Sequence, residues 1–203
     1  MRLSKIYSDG MIIQRNAENI VEGVATPGNE VRLYFDKKIY EGTCDDDGNF
    51  TIFLEPMEAG GPHTINITDN SDRYTINDVY VGDVFLLAGQ SNMELPVSRT
   101  LDLYKKDLEG IDYPLIRMFQ MPKDFKFGEP DLRTKSGEWL TANEKNVMDF
   151  SALGFYFAQI KFDKDNVPVG LVHAAVGGTH IEAFMSEERI LKTAKRLRKI
   201  AKE

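Results

Sequence analysis

The 203-residue sequence predicts an α/β protein: an N-terminal β-sandwich over residues 1–81, followed by a parallel-sheet part over residues 82–203. Three observations predict it. Short strand-like runs separated by turn residues fill the first 81 positions. Strand and helix patterns then alternate, the order that builds a parallel sheet. At the joint lies an uncharged, unalternating apolar run, residues 84–88, of the kind found in central strands covered on both faces.

In the first part, residues 31–35 and 50–54 read as strands, and residues 64–68 alternate cleanly between apolar and polar. Thr26-Pro27-Gly28-Asn29, Asp45-Asp46-Asp47-Gly48-Asn49 and Ala59-Gly60-Gly61-Pro62 supply the turns. The acidic run at 45–48 lacks the downstream glutamate of an EF-hand calcium loop, so a hairpin turn accounts for it.

In the second part, the strands are residues 84–88, 115–119 and 169–175. Between the last two, apolar residues at 150, 153, 157 and 160 predict a helix packed on the sheet, with Ser151 as its cap. A second helix follows Ser186, where Glu187 and Glu188 suit a helix N-terminus. Residues 120–148, rich in Lys, Pro, Gly and Glu, predict a long loop over the sheet edge.

The net charge of −7 argues against nucleic acid as the main partner, because phosphate binding needs an excess of Lys and Arg. Lys192, Lys195, Arg196, Arg198, Lys199 and Lys202 form a local exception, read as a solvated helix face. No apolar run is long enough to span a bilayer, and no membrane partner is expected. The N-terminus lacks an apolar signal core, which favours the cytoplasm, although a mature chain with its signal removed would look the same. The single cysteine, Cys44, excludes an internal disulfide. His63, His173 and His180 are widely spaced, and neither a metal nor a cofactor is expected.

Chemistry concentrates at two strand ends. After residue 88 the chain breaks at Gly89 and presents Ser91, where open α/β sheets bind ligands. Ser91 taken alone is equally a nucleophile or a helix cap. Residues 169–175 likewise run into Gly177-Gly178-Thr179. Glycines let backbone N–H groups approach an anion, and two converging donors are what a tetrahedral oxyanion requires.

Gly89-Gln90-Ser91-Asn92-Met93, preceded by Val81-Gly82-Asp83-Val84, resembles the nucleophile block of the sialate O-acetylesterase family, carbohydrate esterases of the SGNH-hydrolase superfamily. Pro168-Val169-Gly170-Leu171 and Gly177-Gly178-Thr179-His180-Ile181-Glu182-Ala183-Phe184-Met185-Ser186 resemble its second block. The helix beginning Phe150-Ser151-Ala152-Leu153-Gly154-Phe155 and the N-terminal β part, with Ser8-Asp9-Gly10-Met11-Ile12-Ile13-Gln14-Arg15, fit as well. The resemblance implies part of a flavodoxin-like SGNH domain that hydrolyses acetyl esters on sialic acid or related sugars. It makes Ser91 the nucleophile, with the Ser91 N–H and that of Gly178 or Gly177 in the oxyanion hole. Gln90, Asn92 and Thr179 are candidate substrate-binding residues, Gln90 and Asn92 suiting the shaping of the turn better than a substrate contact, and Trp139 in the long loop is a candidate sugar contact.

Two departures stand out. His180 occupies a position where the family commonly carries proline; it reads as a surface-loop residue, His173 as a satisfied core residue, and His63 as remote from Ser91. The family's Asp-x-x-His block, which carries the general base, is missing from these residues, as is a later oxyanion donor. The expected partners are therefore an O-acetylated sugar and either a further C-terminal segment or a complementary chain. The alternative is a catalytically silent carbohydrate-binding or assembly module.

Overall fold

The computed structural model describes residues 1–123 and 134–200, the last six by backbone alone. Strands β1 (Arg2–Leu3), β2 (Ile12–Gln14), β3 (Asn19–Val24), β4 (Glu30–Phe35), β5 (Lys38–Thr43), β6 (Asn49–Leu54), β7 (Gly60–Thr68) and β8 (Arg73–Leu87) occupy the first part. They are followed by the short helices α1 (Ser91–Glu94) and α2 (Leu101–Tyr104), then β9 (Asp112–Gln120), β10 (Trp139–Asn143), α3 (Ala152–Asp165), β11 (Val169–His173) and α4 (Glu187–Ile200).

Two sheets result. One is three-stranded, β1-β3-β6; the other is eight-stranded, running β10-β9-β11-β8-β7-β4-β5 with β2 beside β8. Period-2 patterning decides what they bury: Val31, Leu33 and Phe35 of β4 point inward, as do Phe50, Ile52 and Leu54 of β6. These side chains and Ile65, Ile67, Ile76 and Val79 form a common core. The turn at Asp45–Gly48 joins β5 to β6 in the other sheet, so it is a crossover rather than the expected hairpin. The Asp45 carboxylate holds it by accepting from the Asp47 and Asn49 N–H groups at 3.0 and 2.7 Å.

β8 is the longest strand at 15 residues and belongs to both parts of the chain, so position 81/82 falls inside it. Its first stretch pairs antiparallel with β7; from Asp83 it pairs parallel with β11, which in turn pairs parallel with β9. The mixed α/β architecture therefore has a parallel segment embedded in a larger mixed sheet. The expected loop at 120–148 contains β10, an edge strand antiparallel to β9. Residues 124–133 of that expected loop lie outside the described residues, as do the side chains of the basic cluster from Lys195 onward.

An ionic cluster ties the layers together. The buried carboxylate of Asp83 accepts from Arg15 Nε at 2.7 Å and Nη2 at 3.1 Å, and pairs with Lys161 Nζ of α3 at 2.8 Å. Burial alone would raise the Asp83 carboxyl, but these two cations more than offset it and hold it below the ordinary carboxylate range.

α3 covers one face of the parallel strands. The Ser151 hydroxyl accepts from the Gly154 N–H at 3.1 Å, the expected N-cap. The packed face differs from the expected one. Gly154, Phe155 and Ala158 are buried against the sheet, whereas Leu153, Phe157 and Ile160 are exposed, Ile160 to 70%. The small residues explain this: a Cβ on Gly154 would lie 2.3 Å from Leu87 Cδ1, so α3 approaches β8 through them.

Residues 84–88 also depart from expectation. Leu87 is 5% exposed beneath α3, but its neighbour Leu86 is 67% exposed on the opposite face. Among the described residues no strand pairs with β8 on the side away from β11 beyond Gly82, and the Val84 N–H is met only by the Gln14 side chain at 2.8 Å. The face opposite α3 is half covered at Val84, beside Ile12 and Val172, and open at Leu86.

Candidate active site

The site lies at the carboxyl ends of β8, β9 and β11. Gly89 takes φ +147°, a conformation other residues resist, and this lets the strand turn sharply. Gln90 is the N-cap of α1, its carbonyl accepting from the Met93 and Glu94 N–H groups at 2.9 Å each. Ser91 is thus the first helical residue rather than the cap. Its side chain is exposed and makes no hydrogen bond to another described residue.

The parallel pairing continues past both strands and delivers the second turn beside the first. Ala174 N–H donates to the Leu87 carbonyl at 2.9 Å, and Val176 N–H to the Gly89 carbonyl at 3.0 Å. At the tip, a Cβ on Gly177 would sit 3.4 Å from Ser91 Oγ and 2.6 Å from Glu94 Oε2, so no larger residue fits there without rearrangement.

The two glycines differ. Gly177 N–H donates to Glu94 Oε2 at 2.7 Å, and the other carboxylate oxygen pairs with Lys123, which follows β9. Gly178, at φ +76°, is exposed, and its N–H has no partner among the described residues. The Lys123 hydrogen bond, followed by that from Gly177, holds the Glu94 carboxyl below its ordinary range.

A cavity of about 670 Å³ opens beside Ser91, lined also by Glu94, Arg99, Lys123, Asp149 and His173. His173 is 3% exposed, its Nδ1 against Gln120 Oε1, while its Nε2 lacks a hydrogen-bond partner among the described residues. It is buried as expected but only half satisfied. Burial lowers its pKa, the Met93 backbone and Glu94 opposing, so the ring is neutral at pH 7.

The remaining expected residues divide. Gln90 and Asn92 share the turn with Ser91, and Thr179 closes the glycine turn through its N–H to the Val176 carbonyl at 3.3 Å. Trp139 is placed elsewhere. It lies in β10, buried against Phe119, with Nε1 donating to the Ile6 carbonyl at 2.8 Å, and it does not line the cavity beside Ser91. Glu94, Lys123 and Arg99 escaped sequence reasoning because their meeting depends on separate strand ends. Among the described residues no group of three or more His, Cys, Asp or Glu could hold a metal ion, and no helix is long and apolar enough to cross a membrane.

Residues 81–203, which hold both turns, match the family described as carbohydrate esterase, sialic acid-specific acetylesterase. The chain belongs to this family. Among curated members, it is 27% identical to mouse sialate O-acetylesterase over 93% of its own length, and 25% identical to the human protein over 91%. It spans 38% and 39% of those two proteins. The crystal structure of a carbohydrate acetylesterase from Xanthomonas citri superposes with a TM-score of 0.86 at 31% identity, over 93% of this chain and 43% of that one. The family likeness therefore extends beyond the matched residues into the N-terminal β strands.

Proposed function

We propose that the chain is the nucleophile-bearing part of a serine esterase that removes O-acetyl groups from sialic acid or related acetylated carbohydrates. The observation that carries this reading is the exposed Ser91 hydroxyl, free of any cap bond and beside a glycine turn whose Gly178 N–H has no partner among the described residues. Ser91 Oγ attacks the acetyl carbonyl carbon and passes its proton to a base. The resulting oxyanion is held by the N–H groups of Ser91 and Gly178. Expulsion of the sugar hydroxyl, which takes a proton, leaves an acetyl-enzyme that water hydrolyses. Removing one such oxyanion donor costs roughly 2.7–4 kcal/mol of transition-state stabilisation.

The proton acceptor is inferred to be a histidine outside these 203 residues, on a further segment or a complementary chain. Two features support a docking place for it. Among the described residues no strand pairs with the side of β8 away from β11 beyond Gly82, Leu86 is exposed, and the apolar stripe Leu153, Phe157 and Ile160 of α3 is exposed too. A separate β-sandwich role for residues 1–81 in supporting this sheet is part of the same reading.

Fluorophosphonate labelling tests the mechanism. A version extended through an Asp-x-x-His block is expected to label at Ser91 and hydrolyse an acetylated aryl ester, and Ser91→Ala to abolish both. An extended protein that remains unlabelled would sink the mechanism. The second reading, a silent carbohydrate-binding or assembly module, is favoured by the lack of a hydrogen bond between Ser91 and any histidine among the described residues. Turnover by the 203-residue chain, lost in Ser91→Ala, would eliminate it.

A further inference from the structure

Beyond the paired backbone of β8 and β11, little among the described residues holds the serine turn against the glycine turn. Val176 N–H to the Gly89 carbonyl is the last backbone link, and Thr179 N–H folds back on its own turn. One side chain then reaches across. Glu94, one helical turn after Ser91, places Oε2 on the Gly177 N–H and Oε1 on Lys123. A single carboxylate therefore joins the segments that follow β8, β9 and β11.

We infer that Glu94 is a positioning residue that clasps the nucleophile turn to the oxyanion turn, with Lys123 fixing its orientation. This inference rests on the esterase reading. Both oxygens of Glu94 are directed to Gly177 and Lys123 and neither is hydrogen-bonded to Ser91 Oγ, the geometry of a positioning residue rather than of a base. Its bond to Gly177 also occupies that N–H, leaving Gly178 N–H as the donor free to meet an oxyanion. An oxyanion hole needs its donors fixed before charge develops. A misplacement of about 1 Å can cost roughly 100-fold in rate.

The test compares Glu94→Ala, Glu94→Gln and Lys123→Ala with the parent. Gly177 amide hydrogen exchange is followed by NMR in the 203-residue chain. Ser91 labelling by a fluorophosphonate, with kcat and KM on an acetylated aryl ester, is followed in the extended enzyme. Glu94→Ala is expected to speed Gly177 exchange and slow labelling about 100-fold, the loss falling on kcat rather than KM. Glu94→Gln keeps an acceptor oxygen for Gly177 and is expected to recover most of both. Parent-like labelling and Gly177 exchange in Glu94→Ala overturns the clasp alone, whereas a parent enzyme that never labels at Ser91 overturns the esterase reading with it. Should Glu94→Ala fail to fold, Lys123→Ala decides: it frees Oε1 only, so faster Gly177 exchange and slower labelling support the clasp, and no change in either overturns it.

Discussion

The two halves of β8 solve the burial problem differently. Residues 73–81 alternate with one change of phase at Asp78, whose φ is +55°, sending Ile76 and then Val79 and Val81 into the core and Arg73, Thr75 and Asn77 to solvent. Residues 83–87 abandon alternation after Asp83, yet this more apolar half leaves Leu86 67% exposed. Apolar density along a strand therefore records how many faces it needs covered, and coverage must come from whatever packs there. For the second half, α3 supplies one layer; the other is the docking place proposed above for a further segment or chain.

Adjacent leucines give the largest test of this contrast. Leu87→Ala, under α3, is expected to cost about 3 kcal/mol in urea unfolding, while Leu86→Ala changes stability by less than about 0.5 kcal/mol. Equal losses would mean that the two faces are equally covered. A docked segment should make Leu86→Ala costly, so repeating the pair in an extended protein sharpens the comparison.

The turn that launches the alternating half supplies a pH test. Asp69 is buried, and burial raises its carboxyl, but bonds from Ser71, Thr26 and Asp72 outweigh that and lower it to about 2. Its folded value is depressed, so the stabilisation is present above the unfolded value near ~3.9 and is lost as pH falls towards ~2. The expected size is about 2 kcal/mol, and Asp69→Asn should remove this part of the acid dependence of unfolding.

Ser151→Ala gives the smallest effect. Loss of the α3 cap should cost about 1 kcal/mol and loosen the layer over Leu87, read as faster amide exchange in the first turn of α3. Unchanged exchange would mean that the Gly154–Leu87 contact alone seats the helix.

Sequence patterning made the apolar run after Gly82, the Ser151 cap and the two glycine-bearing strand ends visible, because each depends on neighbours within a few positions. β10 is hidden in the sequence: five residues at a sheet edge, flanked by Glu138 and Glu144, carry too little periodicity to stand out from a polar loop. Trp139 reads as a loop residue for the same reason, whereas its indole is buried through pairing with β9 and contact with Ile6. The outward stripe of α3 reads in the sequence as its packed face because Gly154 and Ala158 are less conspicuous than Leu153 and Ile160. Glu94 offered one local signal, a carboxylate a single turn after Ser91. Its meeting with Gly177 requires the whole parallel sheet.

The Arg15–Asp83–Lys161 cluster has a consequence for chimeras. A cassette boundary drawn between residues 81 and 82 would import Arg15 with one parent and Asp83 and Lys161 with the other. A donor without a cation at position 15 would leave Asp83 with only one of its two countercharges. Domain swaps among relatives should therefore carry the strand around Arg15 together with the strand that bears Asp83.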